Sequence, residues 1–167
     1  MTSKPDDEFL TIRDQNGSRR GRTSNGDIDL PIANWAVSVV AVSRFLPFLR
    51  LHFYGHDSPN GEPNSLGYNL SVEGPMVIVA NSSEHRIDPA AGEDPAYLSL
   101  VTKTVLRATA SRDGGLVIVF TDDDRLEVPQ FQYEPWQLAG DDGSLVVSVA
   151  GGGLALWDPD PTKLGRT

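Results

Sequence analysis

The stretch 104–120, TVLRATASRDGGLVIVF, decides how this chain is read. On either side of Asp113-Gly114-Gly115 apolar and polar side chains alternate, so that Leu116, Ile118 and Phe120 share one face. A period of two is that of an extended segment with one buried face, whereas a helix repeats every three to four residues. Asp-Gly-Gly supplies the left-handed backbone that tight hairpin turns need. The stretch is expected to be a β-hairpin.

A second stretch, 37–53, VSVVAVSRFLPFLRLHF, lies over the first without a gap. The alignment matches Val39 with Leu106, Ala41 with Ala108, Leu49 with Leu116, Leu51 with Ile118 and Phe53 with Phe120, and puts the first turn at Phe45 to Pro47. Beyond it Leu70 and Val72 match Leu126 and Val128, and a proline follows soon after in both places. Self-similarity of this kind points to an internal repeat. We place its copies at about 35–89 and 103–157, with an insertion at 56–66 in the first that reads as a surface loop.

Further short strands are expected at Met76 to Val79, at Trp136 and Leu138, at Leu145 to Val149 and at Leu154 to Trp157. Between the halves, Asp94-Pro95 is a cap and first-turn pair for one short helix, with Tyr97, Leu98, Leu100 and Val101 to bury one side. The expected fold is mainly β: two similar antiparallel meander halves packed as a sandwich or open barrel, with one short helix between them. Residues 29–158 form the single domain, 1–28 a flexible arm and 159–167 a flexible tail.

The chain has 39% hydrophobic and 22% charged residues, a globular balance. It holds no apolar run of the roughly 20 residues that span a bilayer, and its polar, acidic start lacks the pattern of a signal peptide. With no cysteine, disulfides and thiolate metal sites are excluded, which fits a cytoplasmic location. The net charge is -9, and residues 1–28 balance five basic against five acidic side chains. The whole excess of acid therefore lies in the domain, which would repel nucleic acid and anionic lipid and attract a basic partner.

Phe120-Thr121-Asp122, Leu126-Glu127-Val128-Pro129, Tyr133-Glu134-Pro135-Trp136-Gln137-Leu138 and Gly151-Gly152-Gly153-Leu154-Ala155-Leu156-Trp157 follow one another in the C-terminal third. This run resembles an actinobacterial family of small domains of unknown function, whose pattern reads F-x-D-G-x-x-L-x-V-P, Y-E-A-W-x-L-x-G, then P-G-G-x-L-A-V-W. With the Leu30-Pro31-Ile32 opening, the resemblance covers about 29–158. Asp122-Asp123-Asp124 replaces the family's Asp-Gly turn and Ala150 its proline. The resemblance carries no catalytic residue, and it hints at the immunity role of similar small β domains that accompany toxins.

Chemistry-bearing motifs are few. His52 and His56, with Asp57 and His85, are one candidate metal group, and they read as polar residues at a strand end. The Asp122 to Asp124 run lacks the Gly and distal Glu of a calcium loop, and Glu73 and Glu84 have no spacing that pairs them for acid/base work. The glycines at 151–153 precede a strand, not a helix, so they form no dinucleotide fingerprint; no cofactor or metal is expected. Trp35, Trp136 and Trp157 read as packing residues.

The leading expectation is a non-catalytic module that binds a basic protein through Asp122, Asp123, Asp124, Glu127, Asp141 and Asp142, with the resemblance pointing to a toxin as that protein. The alternative is a structural domain that self-associates, as a homodimer, through strand edges. An enzyme with a His/carboxylate site comes third.

Overall fold

The computed structural model describes residues 11–14, 17–24, 26–42, 49–55, 67–91, 94–160 and 162. Strands β1 (Thr11–Asp14) and β2 (Gly17–Arg20) pair only with each other. Thirteen further strands form two antiparallel sheets. They are β3 (Arg22–Thr23), β4 (Ile28–Asp29), β5 (Ala36–Val42), β6 (Leu49–Tyr54), β7 (Gly67–Val72), β8 (Met76–Ala80) and β9 (Ser83–Ile87), followed by β10 (Val105–Ala110), β11 (Leu116–Phe120), β12 (Arg125–Val128), β13 (Trp136–Gly140), β14 (Leu145–Ser148) and β15 (Leu154–Trp157).

One sheet has the order β4-β10-β11-β12-β8-β9 and the other β3-β15-β14-β13-β7-β6-β5. The fold is a β-sandwich, as the alternation implied, but the two halves are not separate layers. Each gives its first three main strands to one sheet and its remaining strands to the other. The chain crosses between sheets at Gly74-Pro75 and again between Pro129 and Pro135, because proline cannot donate to a ladder and ends the strand before it. The two crossings touch: Glu73 N and Gly74 N both donate to the Pro135 carbonyl, at 2.8 and 3.1 Å.

The halves share a register. Leu49 pairs with Val72 and Leu51 with Leu70, as Leu116 pairs with Val128 and Ile118 with Leu126. In the preceding strands Val37 pairs with Phe53 and Val105 with Phe120, and each strand bulges just after that residue. Val37 therefore corresponds to Val105, so the ungapped matches of Val39 with Leu106 and Ala41 with Ala108 are one residue out. The link from Val42 to Leu49 is one residue longer than that from Ala110 to Leu116, and an alignment without gaps hides the difference.

With the register corrected, Ala36 corresponds to Thr104, and these two residues bridge to each other. Val37 N donates to Lys103 O at 2.9 Å while Val105 N donates to Trp35 O at 2.7 Å, and Asn34 N to Val105 O is mirrored by Thr102 N to Val37 O. Each bond is the other's counterpart. The halves thus meet about a local two-fold axis.

Leu49, Leu51, Phe53, Leu70, Val72, Ile78, Leu116, Ile118, Phe120 and Leu126 are wholly or almost wholly buried in one continuous core. Trp136 is buried with them, its indole N–H donating to Gly114 O, while Trp35 is only half-buried. In place of one short helix there are two 3-10 segments, Pro89–Ala91 and Pro95–Leu100. The second keeps the expected start: Asp94 Oδ1 accepts from Ala96 N at 2.9 Å, with Pro95 in the first turn. Within the presumed arm, β3 pairs with β15 and β4 with β10; two-residue strands are too short to show alternation in sequence. Phe45 to Pro47 and the insertion at 56–66 lie outside the described residues. Among the described residues no helix is long and apolar enough to cross a membrane.

Candidate functional site

Four hairpins share one closing hydrogen bond, and two of them carry the acidic candidates. In 111–115, 120–124, 140–144 and 149–153 the first N–H donates to the carbonyl four residues on, at 2.8 to 3.0 Å. The fourth residue of each is left-handed: Gly114, Asp123, Gly143 and Gly152. In 111–115, 120–124 and 140–144 this is a type I turn closed by a bulge, a geometry that favours glycine at that place, whereas in 149–153 Gly151 is left-handed as well, at φ +80°. Asp123, at φ +63°, takes the conformation of the glycine it replaces, so the triple-aspartate departure leaves the turn intact.

The β11–β12 turn uses its aspartates unequally. Asp124 is buried at 5% exposure, where Oδ1 accepts from Asn81 N at 3.1 Å and Oδ2 lies 3.0 Å from Lys103 Nζ. Asp122 is exposed and also meets Lys103, at 2.7 Å, while Asp123 points to solvent. Hydrogen bonds to Asp122 and then Asp124 push the Lys103 ammonium above its ordinary range. Glu127, half-buried on β12, pairs with Arg125 at 2.6 Å.

The β13–β14 turn is built differently. Asp142 is buried, and its Oδ1 accepts from Ser144 N at 2.9 Å and Ser144 Oγ at 2.6 Å. Tyr68 Oη reaches Asp142 Oδ2 at 3.5 Å, and burial above all raises the Tyr68 phenol, the Asp142 charge adding to it. Trp35 packs edge-on against Tyr68 at 5.1 Å between ring centroids. Asp141 is exposed, with Oδ2 accepting from Gly67 N at 2.8 Å.

The two turns lie at one end of the sandwich. Thr121 N donates to Thr104 O; Thr104 bridges to Ala36, Ala36 pairs with Tyr54, Tyr54 with Gly67, and Gly67 holds Asp141. The acidic turns therefore flank the local two-fold axis. Lys103 and Trp35 are counterparts there: one half sets a cation against carboxylates, the other an indole against a phenol. The supports of this end, Lys103, Asn81, Gly67 and Tyr68, were not legible as site residues, because contacts across tens of residues leave no local pattern.

The other candidates separate. His52 Nδ1 lies 3.0 Å from Asn69 Oδ1 within the seven-stranded sheet, His85 is on β9 of the other sheet, and His56 and Asp57 lie outside the described residues. Among the described residues no three His, Cys, Asp or Glu side chains are grouped to hold a metal ion. Glu84 pairs with Arg86 on β9, and Glu73 shares a small polar hollow with Glu134 and Ser71.

No curated protein and no solved structure matches the chain. A family model of unknown function, DUF6188, matches residues 28–158, the span of the sandwich from β4 to the end of β15, and the chain therefore belongs to that family.

Proposed function

We propose that the domain is a non-catalytic protein-binding module whose acidic end receives a basic partner, in the manner of an immunity protein that neutralises a toxin by occlusion. The observation that carries this reading is the gathering of exposed Asp122, Asp123 and Asp141 on two turns about one axis. The basic side chains in contact with those turns, Lys103 and Arg125, are already paired with carboxylates there. Among the described residues, carboxylates outnumber basic side chains at that end, and a net negative field of this kind steers a cationic surface and repels an anionic one.

The purified chain, mixed at micromolar concentration with purified products of adjacent genes, tests it by size exclusion. A basic product should comigrate, and binding should weaken with salt and be lost in the triple variant Asp122→Asn, Asp123→Asn, Asp141→Asn. If no such product binds, or if binding ignores both salt and the triple variant, the reading is overturned.

A second reading, self-association, has one specific observation in its favour. Ala110 and Thr109 of β10 are covered by β4, whereas their counterparts Val42 and Ala41 on β5 have no strand beside them among the described residues. A strand edge without a neighbour pairs readily with a second copy. Light scattering that finds only monomer at high concentration dismisses this reading.

A further inference from the structure

The seven-stranded sheet turns Leu154 inward, into the main core, and Ala155 and Trp157 outward. Val147 joins them across the ladder, since it pairs with Ala155. Elsewhere on that outward face Arg50, Tyr54 and Gln137 are exposed. Val147, Ala155 and Trp157 are nevertheless buried, at 8%, 1% and 7% exposure. The register sets only Leu145 and Gly21 directly beside Trp157. Leu145 is itself half-buried, and Gly21 has no side chain; a Cβ there would collide with the indole. Among the described residues no second layer covers this face. A further segment of chain must therefore lie over it.

The indole indicates what kind of segment. Trp157 Nε1 is buried without a hydrogen-bond partner, so its cover presents hydrocarbon and not an acceptor. Chain continuity indicates which segment. Arg20 precedes Gly21 and pairs with Thr11, and one further step along that ladder sets Leu10 opposite Gly21. Residues directly opposite share a face, so positions 157, 21 and 10 make one outward row. Apart from Met1 and Pro5, residues 1–20 hold apolar side chains only at Phe9, Leu10 and Ile12. The chain after β15 leads the other way: Asp160 N donates to Asp142 O, on the turn before β14, at 2.8 Å.

We propose that the N-terminal segment ahead of Thr11 docks on this face, running along the outer edge of β3 as a further strand with Leu10 against the Trp157 indole. Glycine at position 21 is what lets the ring reach across β3. The docked segment closes the β3 edge of the sheet, so the folded unit begins well ahead of residue 28, where the family match starts. This docking does not depend on the basic-partner reading.

The test follows the Trp157 indole N–H in the full chain by hydrogen exchange and proton–proton NOEs, with its signal assigned from Trp157→Phe. NOEs from the indole to the Leu10 methyls and slow exchange are expected. Leu10→Ser should speed exchange of this N–H at least about tenfold, whereas Leu10→Met should keep it slow. The Trp136 N–H, held by Gly114 O, should keep its rate in both variants and thereby report that the sandwich is folded. Unchanged Trp157 exchange in Leu10→Ser overturns the proposal, and so does equal acceleration at Trp136. Indole NOEs to residues 161–167 in place of Leu10 would make the C-terminal tail the cover, and NOEs to a second copy in a mixed-label sample would make it a dimer contact. Either result overturns the proposal.

Discussion

Asn34 and Thr102 hold corresponding places in the two halves, and both are left-handed, at φ +68° and +69°. Each N–H crosses the axis to a valine carbonyl, Asn34 to Val105 and Thr102 to Val37. Asparagine tolerates this backbone, but a β-branched residue is strained in it. Thr102→Asn should therefore raise stability by about 1 kcal/mol, and Asn34→Thr should lower it by a similar amount. Urea unfolding gives the answer: the midpoint moves while the slope stays fixed, and equal midpoints for Thr102→Asn and the parent chain would refute the strain.

The aspartates of one turn should differ widely in their worth to the fold. Asp124→Ala strands the Asn81 N–H and leaves Lys103 with one carboxylate, so a loss of about 2–4 kcal/mol is expected. Asp122→Ala removes only the exposed partner and should cost less than about 1 kcal/mol. Thermal unfolding of the two variants side by side settles the order, and equal losses would mean that Lys103 is held by neither in particular.

How far the sequence carried depended on the range of each interaction. Alternation from Leu49 to Phe53 and from Leu116 to Phe120 is local, so both strands and their buried faces were legible. The crossing of each half between sheets was not, because Gly74-Pro75 marks an end of strand without saying where the chain goes next. The one-residue slip came from a turn whose length had no signature. Among the acidic residues, type and turn position were readable, but burial of Asp124 and Asp142 rests on Asn81, Lys103 and Tyr68, each distant in the chain or on another strand.

Tyr97 gives the fold an alkaline limit. Burial first, then the charges of Asp94 and Asp88, push its phenol up to about 12 from 10.0. The folded state holds the proton more tightly than the unfolded one, so this stabilisation is complete below pH 10 and is lost as pH rises from 10 towards about 12. The full effect is about 2–3 kcal/mol. Tyr97→Phe removes the titration and also a buried hydroxyl without a partner, so it should be about 1 kcal/mol more stable at neutral pH and lose less above pH 10. Denaturant midpoints measured at pH 7, 9 and 11 test both, and parallel pH curves for the two proteins would contradict them.

The Gly114 carbonyl joins the second half's turns: Trp136 Nε1 donates to it at 2.9 Å and Ser148 Oγ at 2.7 Å. Gly114 itself is left-handed at φ +98°, and a Cβ there would stand 2.7 Å from Ser148 Oγ and 3.1 Å from Gly153 O. Ser148 is fully buried, so its hydroxyl has little room to retreat. Gly114→Ala should combine backbone strain with displacement of the Ser148 donor and cost about 2–4 kcal/mol. Asp123, at the same position of the neighbouring turn, makes the complementary case: it is exposed, and Asp123→Gly relieves a left-handed aspartate. That exchange should gain up to about 1 kcal/mol. Opposite signs at these two equivalent turn positions, read as shifts in melting temperature, are the expected result; losses at both would show that backbone strain does not govern this turn.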